Sequence, residues 1–345
     1  MTKKIVTLAG DGIGPEIMAA GLEVLAAVAP KINFDYQVEA KDFGGAAIDR
    51  QGHPLPEATL EAAQAADAIL LAAIGGPQYN DAAVRPEQGL LALRKALGLF
   101  ANIRPVQIFP ALQHLSPLKS EIIAGVDFVV VRELTGGIYF GEHTLNARDA
   151  RDINAYTYEE IDRIIRVAFE LARDRGKKVT SVDKQNVLAT SKLWRLVAEE
   201  VAKDYPDVIL EHALVDSLAM KMITNPSDFD VIVTENLFGD ILSDESSVLP
   251  GTLGVMPSAS HADNGPSLYE PIHGSAPDIA GLGIANPISM ILSVAMMLRE
   301  SFGEIAGAQY IEHAVDKTLR DGVLTKDLGG QASLSEMTAA IIANL

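Results

Sequence analysis

Short apolar runs alternate with longer amphipathic stretches through the first hundred residues. KIVTLAG, FDYQVEA and AILLAA read as strands, and Pro15–Val28, Glu57–Gln64 and Glu87–Leu97 as helices whose apolar positions recur at helical spacing. Such alternation predicts a largely parallel sheet covered by helices on both faces. From Ala101 the texture changes: ANIRPVQIF, VDFVVVREL and GGIYFGE follow one another as strands with no helix between them, which points to antiparallel structure. Alternation returns with the helix Tyr158–Arg173, the strand KKVTSVD, the helix Ser191–Ala202 and the strands VILEHAL and FDVIV. The Gly/Pro-rich passage LPGTLGVMPSAS (249–260) reads as a crossing, after which the chain is mostly helical. Its most apolar stretch, Ile288–Leu298, is shorter than the roughly 20 residues a membrane span requires and is expected as a buried helix.

A chain of 345 residues exceeds what one hydrophobic core usually holds, so two lobes are expected. The excess of 46 acidic over 28 basic residues argues against nucleic acid or an anionic membrane as partner, because both demand clustered Lys and Arg. The absence of cysteine excludes disulfides, thiolate zinc sites and a cysteine nucleophile. The start, MTKKIVTLAGDGIG, reads as a first strand rather than a secretory signal, which makes the cytoplasm the default location.

Several segments carry candidate chemistry. TENLFGDILSDE (234–245) follows the strand FDVIV, so its second half is expected as a helix with Asp240 and Asp244 at i and i+4 on one face. Like charges at that spacing repel by roughly 0.2–0.5 kcal/mol, and hard carboxylate oxygens suit Mg²⁺ or Mn²⁺; the plainer alternative is a solvated acidic face. GDGIGPE (10–16) sits at a strand-to-helix turn, but its spacing is not G-x-G-x-x-G and Asp11 would repel a phosphate. It reads as a tight turn with Pro15 opening the helix. Arg94, Arg104 and Arg132 come from three separate elements; each suits an acidic neighbour, and together they suit a substrate with two carboxylates. Taken singly, Tyr139 is a core or interface aromatic, Lys184 a surface lysine and Asp216 a helix N-cap. The loop HGSAPDIAGLGIANP (273–287) lets backbone approach a flat ligand closely, or is simply a long surface connection.

The segments GDGIGPE, ALRKALGLFANIRP, RELTGGIYFGE, DKQNVL, TENLFGDILSDE and EPIHGSAPDIAGLGIANP occur together and in this order. In that combination the chain resembles the isocitrate/isopropylmalate dehydrogenase family of decarboxylating β-hydroxyacid dehydrogenases, from about residue 3 to residue 344. The resemblance implies an α/β two-domain fold with a mixed sheet, distinct from the Rossmann fold. The first domain would comprise 1–99 and 252–345 and the second 100–251. It implies a homodimer with shared active sites, in which Lys184 and Asp216 reach in from the neighbouring subunit. By the same resemblance Arg94, Arg104 and Arg132 grip the malate carboxylates, with Asp216 also beside the substrate. Asp240, Asp244 and the partner's Asp216 hold Mg²⁺ or Mn²⁺, and Tyr139 and Lys184 form the acid–base pair. Glu87, His273, Gly274, Ser275, Ala276, Asp278, Ile279 and Asn286 match the positions that hold NAD.

These residue types agree with the implied chemistry. A lysine serves as base for a hydroxyl when burial or a nearby cation lowers its pKa, and a metal stabilises the enolate left when CO₂ departs. Leu90 and Leu91, after Pro86-Glu87, match the pair that meets an isopropyl group, and a third carboxylate against them would lack a partner. The expected reaction is therefore NAD-dependent oxidative decarboxylation of (2R,3S)-3-isopropylmalate to 4-methyl-2-oxopentanoate and CO₂, a step of leucine biosynthesis. A tartrate- or D-malate-type enzyme of the same family, or a non-catalytic regulatory homologue, are the alternatives. Asp278-Ile279 favours NAD over NADP, whose extra phosphate the carboxylate would repel.

Overall fold

The computed structural model describes residues 2–345, which divide into two compact units. The first comprises the chain up to Leu99, Phe109–Leu115 and Thr252–Leu345; the second comprises Phe100–Ile108 and Ser116–Gly251. In chain order the first unit begins β1 (Lys3–Gly10), α1 (Gly14–Val28), β2 (Tyr36–Ala40), α2 (Gly45–Gln51), α3 (Glu57–Gln64), β3 (Ala68–Ala73) and α4 (Pro86–Leu97). The second unit follows with β4 (Ala101–Gln107), α5 (Ser120–Ile123), β5 (Asp127–Glu133), the hairpin β6 (His143–Leu145) and β7 (Ala150–Asp152), and α6 (Tyr158–Arg173). It continues through β8 (Lys178–Asp183), α7 (Ala189–Val201), β9 (Ile209–Leu214), α8 (Val215–Thr224), β10 (Val231–Thr234) and α9 (Asn236–Ser246). The chain then completes the first unit with β11 (Pro257–His261), β12 (Ser267–Pro271), α10 (Ile288–Glu300), α11 (Ile305–Arg320) and α12 (Leu334–Asn344).

Each unit is α/β with a mixed sheet, as expected. In the first the strand order is β2-β1-β3-β12-β11, parallel except where β11 runs against β12. All six residues of β3 are buried, as a parallel strand covered on both faces requires, and Val6, Leu8, Ile69, Leu71, Leu93 and Leu268 pack in one cluster. Every residue from Ile288 to Leu298 is buried, so the most apolar stretch is indeed a core helix, and no helix among the described residues is long and apolar enough to cross a membrane. Strands β11 and β12 replace part of the helical tail anticipated from the sequence. Their segments, PSASH and SLYEP, lack apolar alternation, and β11 buries serines instead.

In the second unit the order is β4-β5-β10-β8-β9, antiparallel only between β4 and β5. The register pairs Thr234 with Arg132, Thr234 with Val182, and Asp183 with Leu214. The carboxyl ends of β5, β10, β8 and β9 therefore line one edge, where open α/β sheets commonly bind ligands. Helix α6 shows how local sequence secures this scaffold. Thr157 and Glu160 form a capping box, and Ile161, Ile164, Ile165, Ala168, Phe169 and Ala172 form its buried stripe.

Candidate active site

The edge of the second unit gathers most of the charged candidates. Arg132, at the end of β5, is buried and donates from Nε and Nη2 to Asn236 Oδ1 at 3.1 and 2.8 Å. Its Nη1 is ion-paired with Asp240, and its guanidinium lies 5.5 Å from the centre of the Tyr139 ring. Helix α9 reaches this arginine because of Gly239: a Cβ there would come within 2.6 Å of Arg132 Cγ. The Glu235 side chain caps α9 by accepting from the Phe238 and Leu237 amides, so Asn236, Asp240 and Asp244 descend one face at i, i+4 and i+8.

Tyr139 lies in a 3₁₀ turn, Gly137–Tyr139, rather than in the strand expected from GGIYFGE. The cause is the glycine pair before it. Gly137 has φ +75°, and a Cβ on Gly136 would lie 2.5 Å from the Tyr156 ring, so only glycines let the chain turn over that ring. The Tyr139 hydroxyl donates to Asp240 Oδ2 at 2.5 Å. Burial and the adjoining Asp240 carboxylate push the phenol above its ordinary range, so it keeps its proton at neutral pH. Burial opposes ionisation of Asp240, yet Arg132, Tyr139 and Arg104 together hold its carboxyl below the ordinary range. From β4, Arg104 donates to Asn102 Oδ1 at 2.9 Å, to Ser243 Oγ at 2.8 Å and to Asp244 Oδ1 at 3.2 Å. The Asp244 side chain remains 76% exposed, which leaves oxygen for another ligand.

Lys184 directly follows β8, and its Nζ meets Asp216 Oδ1 at 2.6 Å. Asp216 lies in the first turn of α8, whose N-cap is Leu214, so it is not the N-cap that its sequence position allowed. The Lys184 ammonium holds the Asp216 carboxyl below its usual range. Helix α8 packs on α9, but Asp216 is committed to Lys184, and among the described residues no three acidic or histidine side chains gather closely enough for a metal ion. One chain thus brings Asp240 and Asp244 to a common face and keeps Asp216 apart from them.

The first unit carries the other candidates. Arg94, on α4, donates to Glu270 Oε1 at 3.1 Å, while its buried Nε has no partner. On the same helix Leu90 packs partly against the core and Leu91 is 42% exposed, so only Leu91 presents a largely free apolar surface. In the loop 273–287, Ser275 is buried and donates to the Gly75 carbonyl at 2.8 Å. Ala276 is left-handed at φ 40°, and Asp278, exposed, lies within the turn Pro277–Ile279. The Asn286 amide donates to Asp327 Oδ2 at 3.0 Å and its oxygen accepts from the Ile288 amide at 3.0 Å, so it is anchored inside the unit. His273 Nδ1 meets the Gly274 carbonyl at 2.9 Å, while its buried Nε2 has no partner. Burial depresses its pKa, leaving a neutral ring with one unused position. Glu87 and Gly274 are exposed.

Sequence reasoning missed the partners that orient these groups. Asn236 stands four residues before Asp240 on the same face, a spacing that marks it in TENLFGD. Glu270 lies in EPIHG just before the loop 273–287. Tyr156, within hydrogen-bonding reach of Glu133 and Glu235 and accepting from the Asn236 amide at 3.0 Å, carries no local signal.

The chain as a whole is similar to known proteins. A family model described as isocitrate/isopropylmalate dehydrogenase matches residues 4–341. The chain is 79% identical to the 3-isopropylmalate dehydrogenase of Streptococcus thermophilus over 345 residues, covering 100% of both. To that of Streptococcus mutans it is 79% identical, over 99% of this chain and 100% of the relative. Among solved structures, the isocitrate dehydrogenase of Methylococcus capsulatus superposes with a TM-score of 0.89 at 38% identity, with 99% of each chain covered.

Proposed function

The chain belongs to the isocitrate/isopropylmalate dehydrogenase family, and from that membership we infer its chemistry. It is an NAD-dependent dehydrogenase that oxidatively decarboxylates (2R,3S)-3-isopropylmalate to 4-methyl-2-oxopentanoate and CO₂ in leucine biosynthesis. The observation that carries the site assignment is the interleaving of guanidinium and carboxylate groups around α9: Arg132 with Asp240, and Arg104 with Asp244. Such pairs can be exchanged for a dianionic substrate and a cation with the sum of charges preserved, so neither guest leaves a buried charge unpaired.

The donor set fits a hard divalent cation. Asp240 and Asp244 share one helix face, both partly exposed, and carboxylate oxygen is the ligand type that Mg²⁺ or Mn²⁺ prefers. We assign these two, with Asp216 of the partner subunit, as its ligands. When bound, the cation supplies Lewis-acid stabilisation of negative charge on the substrate. The loop 273–287 fits a dinucleotide through the unused Nε2 of His273 and the exposed Asp278 carboxylate, a partner for ribose hydroxyls. NAD supplies the hydride acceptor there, and Glu87, Gly274, Ser275, Ala276, Ile279 and Asn286 complete the assignment.

The residues of the chain do the remaining work. Arg94, Arg104 and Arg132 bind the malate carboxylates, and the orphaned Nε of Arg94 is a donor already desolvated for that purpose. Lys184 of the partner subunit, acting in its neutral amine form, removes the hydroxyl proton as the carbinol is oxidised. Loss of CO₂ leaves an enolate, and Tyr139, still protonated at neutral pH, returns a proton to its carbon. Leu91, with Leu90 behind it, receives the isopropyl group. A homodimer with shared sites follows from these roles. Its interface is supported by apolar side chains exposed on the second unit near the catalytic residues: Val187 at 65%, Met220 at 66% and Ile241 at 57%. As a biosynthetic enzyme drawing on NAD, it is assigned to the cytoplasm.

The deciding assay is NADH formation from 3-isopropylmalate, D-malate and isocitrate, with and without Mg²⁺. The highest kcat/KM is expected for 3-isopropylmalate, and activity should vanish on chelation. A higher kcat/KM for D-malate would move the chain to another branch of the family.

A further inference from the structure

The segment Gly10-Asp11-Gly12, which begins at the last residue of β1, has the glycines of a phosphate loop but carries a carboxylate where the anion would sit. Three backbone amides converge on that carboxylate: Gly45 N and Gly75 N each at 2.8 Å from Oδ2, and Ala46 N at 2.7 Å from Oδ1. Converging amides of this kind form an anion-binding nest, and here the chain fills the nest with its own side chain. Asp11 is buried, and these amides are the partners that satisfy it; burial pushes its carboxyl above the ordinary range while the amide bonds pull the other way.

Two further bonds close a ring of loops. The Gly75 carbonyl accepts from the Ser275 hydroxyl at 2.8 Å, and the Ser275 carbonyl accepts from the Ile13 amide at 2.8 Å. The ring has no slack. A Cβ on Gly12 would sit 2.0 Å from the Ser275 carbonyl oxygen, and one on Gly44 would sit 2.9 Å from Asp11 Oδ2. Gly75 also borders Glu87, whose Oε1 would be 3.1 Å from a Cβ at that position. The buried carboxylate therefore stands behind both stretches assigned to the cofactor: the one that Glu87 borders, and the one that runs from Ser275 through left-handed Ala276 to Asp278.

We propose that Asp11 is a positioning residue for the dinucleotide, acting through Gly75 and Ser275, and that by occupying the amide nest it bars any external phosphate from that spot. The proposal rests on the NAD reading above. A merely structural clamp would, on removal, loosen the whole unit and impair substrate and cofactor alike. A positioning residue confined to this ring would change cofactor affinity alone.

Two variants separate these possibilities. Asp11→Asn is nearly isosteric but turns an amide donor toward backbone donors; Asp11→Ala leaves a carboxylate-sized space. Loss of a charge-assisted hydrogen bond predicts that Asp11→Asn raises the KM for NAD about tenfold and weakens NADH binding in a fluorescence titration by the same factor. Its KM for 3-isopropylmalate and its kcat at saturating NAD should stay within roughly twofold of the unsubstituted enzyme. Formate, small enough to re-enter the nest, should recover cofactor affinity in Asp11→Ala and leave Asp11→Asn unchanged. Cofactor affinity undiminished in Asp11→Asn, or a parallel rise of both KM values, overturns the assignment. If Asp11→Ala does not accumulate as folded protein, the kinetic split in Asp11→Asn decides alone. Failure of the unsubstituted enzyme to bind NADH in the same titration would instead overturn the NAD reading on which the proposal rests.

Discussion

Apart from the Arg94–Glu270 pair, the two units hold their candidate residues in different ways. In the first, Asp11 and Ser275 are held by backbone amides and carbonyls and Asn286 by the Asp327 carboxylate and the Ile288 amide. Beside them stand Gly12, Gly44 and Gly254, where a Cβ would have no room, while Arg94 is ion-paired with Glu270. In the second, Arg132–Asp240, Arg104–Asp244 and Lys184–Asp216 are ion pairs in which one or both partners are partly exposed. Preformed hydrogen-bonded loops suit a cofactor that arrives in the same shape every cycle. Exchangeable ion pairs suit charged guests that come and go, because each guest can replace an internal counter-charge.

The largest effects should come from the exchangeable side. Lys184→Met or Tyr139→Phe is expected to lower kcat by about 10²–10⁴-fold, the usual contribution of a positioned acid or base, with NADH affinity unchanged by titration. Near-normal turnover in either variant would remove it from the proton-transfer steps. On the preformed side, Asp278→Lys should move the ratio of kcat/KM for NAD over NADP toward NADP by about tenfold or more, since the change replaces a repulsive charge with an attractive one. An unmoved ratio would detach Asp278 from the ribose. Gly239→Ala should cost about 1–3 kcal/mol in urea unfolding and lower kcat/KM, because its Cβ drives α9 off the Arg132 side chain. Unaltered stability and kinetics would show that the helix can shift without cost.

The smallest effect concerns pH. Burial depresses the pKa of His273. Its contribution to stability is therefore full above the ordinary imidazole range and is lost as the pH falls through that range toward the folded value. His273→Asn should flatten the dependence of the urea midpoint on pH below neutrality. A dependence identical to that of the unsubstituted protein would mean that another group governs it.

The same contrast explains what could be read from the sequence. The strands KIVTLAG and AILLAA and the helix Ile288–Leu298 were legible because burial imposes a local hydrophobic pattern. The i, i+4 placement of Asp240 and Asp244 was legible for the same local reason. Tyr139 was misread as a strand residue because its turn depends on the ring of Tyr156, which lies later in the chain. Asp216 was open to an N-cap reading because its actual partner, Lys184, stands on a neighbouring strand end 32 residues earlier. The opposition of Glu270 to Arg94 spans 176 residues and leaves no pattern in either segment. Local periodicity reveals elements, whereas ion pairs that join a helix to a strand or strand end distant in sequence appear only once the elements are packed together.

The central claim is that each active site pools Asp240 of one subunit with Lys184 of the other, and subunit mixing tests it most directly. Lys184→Met and Asp240→Asn proteins, each inactive alone, are unfolded together in equal amounts, refolded and assayed with 3-isopropylmalate, NAD and Mg²⁺. Random pairing of subunits makes half of the dimers mixed, each with one intact site, so activity should return to about a quarter of the unsubstituted level. A mixture that stays at the level of its inactive parents, with mixed dimers demonstrably formed, would contradict the account.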